Sequence, residues 1–135
     1  MLNVTLVVKQ ACETCTLIEP IIGQIAAHFD LRVICQDTQD FPKNLEVEYD
    51  ASLEQSYRLK IEVVPTLIIR KEGVEVSRIF GWDATAWEAL LGIELNRDLP
   101  KFRPGCGSKT HDPGMQERLA AQFSGHLLSA RRLNF

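Results

Sequence analysis

Two cysteines three residues apart, in Cys12-Glu13-Thr14-Cys15, stand directly between an apolar run and a segment of helical periodicity. This placement constrains the chain more than any other feature. Residues 2–9 are rich in Val and Leu and stop at Gln10-Ala11, which predicts a buried strand. Downstream, Leu17, Ile18, Ile21, Ile22, Ile25, Ala26 and Phe29 recur at spacings of three and four, the apolar stripe of a helix over residues 13–29. The strand therefore delivers both cysteines to the first turn of a helix. A helix N-terminus presents free backbone N–H groups and the positive end of the dipole, and both stabilise a thiolate. That points to Cys12 as an attacking thiol and to Cys15, one turn on, as the thiol that reaches back to resolve a mixed disulfide. The competing reading is half a zinc site. Zinc needs four ligands, and the chain has no second Cys-x-x-Cys.

The rest of the chain supplies the elements such a helix needs as partners. Residues 31–35 predict a second strand, parallel to the first across the helical crossover. Residues 36–50 are polar and acidic and read as loop, and residues 52–59 as a short helix capped by Asp50 or Ser52. Residues 63–69 predict a strand with Pro65 near its start, Lys71-Glu72-Gly73 a turn, and residues 74–80 its antiparallel partner. Asp83 is the expected cap of a core helix reaching about residue 95. Pro20 predicts a kink in the first helix. The order is strand, helix, strand, helix, strand, strand, helix, and it makes an α/β fold with a mixed central sheet of about four strands flanked by helices.

With 135 residues, 45% of them hydrophobic and 24% charged, one hydrophobic core is expected. A net charge of -3 offers no basic face for phosphates, which sets nucleic acid aside as a partner. The opening Met1-Leu2-Asn3-Val4 has no basic segment or small-residue cleavage site, and its apolar run is too short to cross a membrane, so a cytoplasmic, membrane-free protein is expected. In a reducing compartment a Cys-x-x-Cys is redox-active or metal-binding rather than structural.

Cys12-Glu13-Thr14-Cys15 after a first strand, Pro20 five residues past Cys15, Val64-Pro65-Thr66 opening a strand, Gly73 at a hairpin and Gly81 after the last strand together resemble the thioredoxin-like superfamily over residues 1–95. The resemblance implies a cis-proline at Pro65 facing the cysteines, and a substrate segment bound along Val64, Pro65 and Thr66. It implies a thiol-disulfide oxidoreductase without cofactor or metal, acting on a protein disulfide and recharged by a thiol electron donor. The chain departs from typical thioredoxins at Ala11, where they carry tryptophan, at Glu13-Thr14, where they carry Gly-Pro, and at Leu6, where they carry a buried acid. These departures fit a reductase dedicated to one protein partner better than a general one.

Residues 96–135 form a C-terminal extension to this 1–95 domain. Residues 96–114 are turn-forming and read as a linker or ordered loop, while Met115, Leu119, Phe123 and Leu127 mark an amphipathic helix ending near Arg131-Arg132. That helix packs on its own domain or associates with a partner. The alternative function is accordingly a binding module of the same fold, metal-loaded or idle, that docks a partner through the extension. Within the extension, Cys106 lies between two glycines, where backbone approaches closely. It reads as an incidental loop cysteine, as a third redox thiol that shields the pair or exchanges with Cys12, or as a metal ligand joining Cys12, Cys15 and His111. Glu13 is the other candidate modulator: its charge is expected to offset the helix dipole and leave the pair reducing. Lys9 reads as a solvated strand-end lysine, Cys35 as a buried small hydrophobe, and Trp82 and Trp87 as packing for the last core helix. Gly107-Ser108-Lys109-Thr110 lacks the full pattern of a phosphate loop, and His28, His111 and His126 lack metal-ligand spacing.

Overall fold

The computed structural model describes residues 2–96 and 98–124. Strand β1 (Leu2–Val8) lies at the centre of a five-stranded mixed sheet. Helix α1 (Glu13–His28) leads from it to β2 (Asp30–Cys35), which runs parallel to β1 with Leu6 opposite Val33. A strand paired on both edges and covered on its face is buried over most of its length, and Val4, Leu6, Val7 and Val8 are at most 1% exposed. Ile18, Ile21, Ile22 and Ile25 of α1 are fully buried and join the same core. Each such side chain contributes about 1.5–3 kcal/mol on burial. The helix runs unbroken through Pro20, whose missing N–H falls in its second turn.

The sheet has one strand more than expected. β3 (Glu48–Tyr49) pairs parallel to the outer edge of β2, giving the order β3, β2, β1, then β5 (Thr66–Lys71) and β6 (Val74–Phe80). Its two residues sit in the acidic stretch read as loop, and no alternation announces so short an edge; its partner is supplied by the tertiary fold. Between these, helix α2 (Glu54–Arg58) starts two residues later than expected. Leu53, in the left-handed region at φ 63, precedes it without a side-chain cap. Asp50 reaches over instead and accepts from the N–H groups of Gln55 (3.2 Å) and Ser56 (2.8 Å), while the Ser52 hydroxyl accepts from Glu54 (3.3 Å).

The strand predicted over residues 63–69 is divided by Pro65. β4 (Val63–Val64) belongs to a separate ribbon, and β5 begins at Thr66, antiparallel to both β1 and β6. After β7 (Trp82–Asp83), helix α3 (Ala84–Leu91) is capped by Asp83, whose carboxylate accepts from the Ala86 N–H at 3.1 Å. It ends four residues short of residue 95, because Gly92 adopts φ +70 and closes the last turn with a bond from its N–H to the Glu88 carbonyl.

The start of the C-terminal extension is woven into this frame. β8 (Phe102–Arg103) pairs with β7, and β9 (Cys106–Gly107) pairs antiparallel with β4. A 3₁₀ turn (Lys109–His111), helix α4 (Met115–Leu119) and a π turn (Ala120–Ser124) follow. Phe123 meets Tyr57 of α2 with ring centroids 6.1 Å apart. Leu127, Arg131 and Arg132, on which the longer helix was read, and His126 lie outside the described residues. Among the described residues no helix is long and apolar enough to cross a membrane.

Candidate thiol site

The turn from β1 into α1 is fixed before the cysteines are reached. The Asp37 carboxylate accepts from the N–H groups of Gln10 (2.7 Å) and Ala11 (3.0 Å). Burial works against its charge, yet those two bonds hold Asp37 below the usual carboxylate range. Cys12 then occupies the N-cap of α1 with extended backbone, and its Sγ accepts from the Cys15 N–H at 3.4 Å, where a capping oxygen would otherwise stand. Cys12 is 4% exposed and Cys15 is fully buried beneath it.

This placement separates the two thiols chemically. A hydrogen bond from the Cys15 thiol lowers Cys12 most; burial opposes it, and the Cys106 thiol and the N–H groups of Cys15 and Thr14 lower it further, to about 5. Cys15 moves the other way, raised by burial and then by the Cys12 sulfur beside it. Cys106 is also raised, by burial first and then by Cys12. The site thus holds one thiolate and two thiols near neutral pH.

The extension covers this thiolate. In the β4–β9 ribbon, Cys106 lies opposite Val64 and Gly107 opposite Val63, and the Ser108 N–H continues the ladder to the Glu62 carbonyl at 3.0 Å. Cys106 Sγ stands 2.7 Å from Cys12 Sγ, and the Val64 carbonyl oxygen is 3.6 Å from the same sulfur. Thr14, in the first turn of α1, donates its hydroxyl to the Pro104 carbonyl at 2.6 Å, and Lys9 donates to the Gly107 carbonyl at 2.7 Å. Glycines make the approach feasible. A Cβ on Gly105 would stand 2.3 Å from Val63 Cγ1 and 2.4 Å from the Val64 carbonyl oxygen. On the other side of the segment, Gly81 at φ +73 has Gly105 N 3.0 Å from where its own Cβ would be.

The predicted site residues therefore divide. Cys12, Cys15, Val64 and Cys106 meet, and the Val64–Pro65 bond is cis. The backbone edge at Val64, expected to receive a substrate, is occupied by the chain's own β9. Thr66 is fully buried in β5 and donates its hydroxyl to the Val63 carbonyl at 2.6 Å. Glu13 is exposed, and the thiolate is governed by Cys15 rather than by it. Lys9 is not a solvated lysine but an anchor of the extension, because β9 brings a carbonyl within its reach. Cys35 is buried, bonds the Asp37 carboxylate at 3.2 Å and is raised by its burial. Trp82 and Trp87 are fully buried, packed edge to face at 5.0 Å. Among the described residues no group of three or more His, Cys, Asp or Glu side chains is placed to hold a metal ion, so joining His111 to the cysteines as ligands has no geometric support.

Sequence reasoning missed Thr14 and Gly81 as parts of this site, together with Gln36, which anchors Ser108. The glycines around Cys106, read as letting backbone approach closely, were the signal the sequence carried, and Gly105 does admit that approach.

No protein-family model matches the chain, and no curated protein matches it. Solved structures do. Thioredoxin from Fasciola hepatica superposes with a TM-score of 0.53 at 21% identity, covering 67% of this chain and 78% of that one. Thioredoxin NaTrxh from Nicotiana alata gives 0.51 at 20%, covering 70% and 74%, and thioredoxin f2 from Chlamydomonas reinhardtii 0.50 at 22%, covering 67% and 76%. At these identities the likeness is one of architecture. The mixed five-stranded sheet, its flanking helices and these superpositions establish that the chain has a thioredoxin-like fold.

Proposed function

We propose that this chain is a thiol-disulfide oxidoreductase in which Cys12 attacks and Cys15 resolves. The observation that carries the reading is the placement of the two thiols: Cys12 Sγ caps α1, accepting from the Cys15 N–H at 3.4 Å, and Cys15 lies fully buried beneath it, a placement that lowers Cys12 to about 5 and raises Cys15. A thiolate is the nucleophile in disulfide exchange, and a thiol held protonated beside it does not compete for the first attack. Cys12 displaces one sulfur of a substrate disulfide, forming a mixed disulfide and releasing a thiolate that takes up a proton. Cys15 then loses its proton and attacks Cys12 Sγ. The second substrate thiol leaves, and a Cys12–Cys15 disulfide remains for an external thiol donor to reduce. A protein disulfide is the substrate class, and a dedicated partner is favoured, because the edge at Val64 is already covered by β9 and only a partner able to deal with that cover gains access. A reducing compartment such as the cytoplasm fits a site poised as thiols. Reduction of insulin by the full chain, compared with Cys12→Ser, tests the assignment. Turnover is expected to vanish in Cys12→Ser. Unchanged turnover in Cys12→Ser would overturn it.

A further inference from the structure

We propose that Cys106 is a third reacting thiol of this site, borne on a resident strand that occupies the substrate edge and exchanging disulfide with Cys12 in each turnover. The proposal rests on the Cys12–Cys15 reading and names the group that first resolves the mixed disulfide on Cys12.

Three independent features of the fold converge on Cys106. Its segment pairs antiparallel with Val63–Val64, the backbone edge beside the thiolate, as an extended substrate would. Its sulfur lies 2.7 Å from Cys12 Sγ, in direct contact with it. The segment is also held there by dedicated contacts: Thr14 on the Pro104 carbonyl, Lys9 on the Gly107 carbonyl, and Gly105 where any side chain would strike Val63 and Val64. An incidental loop needs none of these.

The exchange balances in three steps. The Cys12 thiolate attacks an external disulfide; one external sulfur leaves as a thiolate, and the other stays bonded to Cys12. Cys106 gives its proton to that departing thiolate and attacks Cys12 Sγ, expelling the second external sulfur as a thiolate and forming Cys12–Cys106. Cys15 then attacks Cys12 Sγ and gives its proton to the departing Cys106. The net change is one external disulfide reduced to a thiol and a thiolate, and the Cys12 thiolate and Cys15 thiol oxidised to one disulfide.

Glutathione disulfide is the probe, used on the full chain. Reduced Cys15→Ser, which cannot resolve, is expected to release two glutathiones per chain and to yield a monomeric Cys12–Cys106 disulfide, identified by peptide mass. Glutathione retained on Cys12 with Cys106 free would overturn the proposal. In turnover with the same probe, Cys106→Ser and Gly105→Val are each expected to lose at least tenfold in rate, the second because it displaces the strand while keeping the thiol. Full rate in both, alongside an inactive Cys12→Ser, would overturn the third-thiol step and leave the two-cysteine reading standing. Activity in Cys12→Ser would remove both.

Discussion

Cys12 and Cys15 belong to one motif, yet their environments push them in opposite directions, and the consequences are measurable one residue at a time. Iodoacetamide alkylation of Cys12 is expected to follow a titration centred near pH 5, with Cys15 and Cys35 unreactive under the same conditions. A Cys12 midpoint near 8 or 9 would contradict the arrangement. The same displacement makes the reduced fold pH-dependent. Because the folded value lies below the unfolded one, the stabilisation is complete above the unfolded pKa of about 8.5 and is lost as pH falls through about 5, at about 1.4 kcal/mol per pH unit between them. The stability gap between reduced wild type and Cys12→Ser, followed by urea denaturation, should therefore narrow from pH 8 to pH 4.5. Stabilising the reduced form also raises the reduction potential. Reasoning from Glu13 alone gave a reducing pair. With the Cys15 thiol bonded to the thiolate, the potential is expected above the ~-270 mV of thioredoxin. Equilibration with a glutathione redox buffer reads it directly. The cysteine spacing was legible in the sequence because it is local. The bond from Cys15 was not legible, and the contact with Cys106 was only one of three readings, since burial and a residue 94 positions away decide them.

Among the elements, those with a strong local signal were read nearly to their ends. Strand β1, helix α1 and the β5–β6 hairpin follow from apolar periodicity and from a turn at Gly73. Elements defined by their partners were not readable: β3 takes its existence from β2, β4 and β9 from each other, and β7 and β8 likewise. Glycine is the exception, a local residue carrying nonlocal information. Gly81 turned the chain after the last sheet strand as expected, but its left-handed backbone also leaves room for the extension to pass. Gly81→Ala combines strain at φ +73 with a Cβ 3.0 Å from Gly105 N and 3.1 Å from the Arg103 carbonyl oxygen. A loss of about 1–3 kcal/mol is expected by urea denaturation, with faster amide hydrogen exchange concentrated in residues 101–108. Loss without that local exchange would mean that Gly81 serves only its own turn.

At the scale of the whole molecule, the question is what binds the extension to the core strongly enough to keep Cys106 on Cys12. The answer lies around the residues that follow β9. Gln36, the residue after Cys35, is 1% exposed; its amide nitrogen donates to the hydroxyls of Ser56 (3.1 Å) and Ser108 (2.7 Å), and its oxygen accepts from the Lys109 N–H (2.9 Å). Ser108 and Thr110 share a further bond at 2.8 Å, and Thr110 donates to the Ile61 carbonyl at 2.8 Å. A buried polar network of this kind has no neutral intermediate state: satisfied, it fixes one arrangement, and with its centre removed it strands the groups around it. Gln36→Leu keeps much of the volume but leaves the Lys109 N–H and the Ser108 hydroxyl short of a partner, at a cost of about 2–4 kcal/mol. Releasing the extension is the way those groups regain water. The variant is therefore expected to stay folded while β9 lifts off, so that a bulky maleimide labels Cys12 at least tenfold faster at pH 6. The Cys12 titration should also move upward, because the bond from Cys106 leaves with the strand. Cys106→Ser separates the two effects, since it removes the thiol but retains every contact of Gln36, Lys9 and Thr14. It should change labelling by a bulky reagent far less than Gln36→Leu does. Equal labelling of Gln36→Leu and wild type, with stability lowered across the whole fold, would show that the network supports the core as a unit and does not control access to the thiolate.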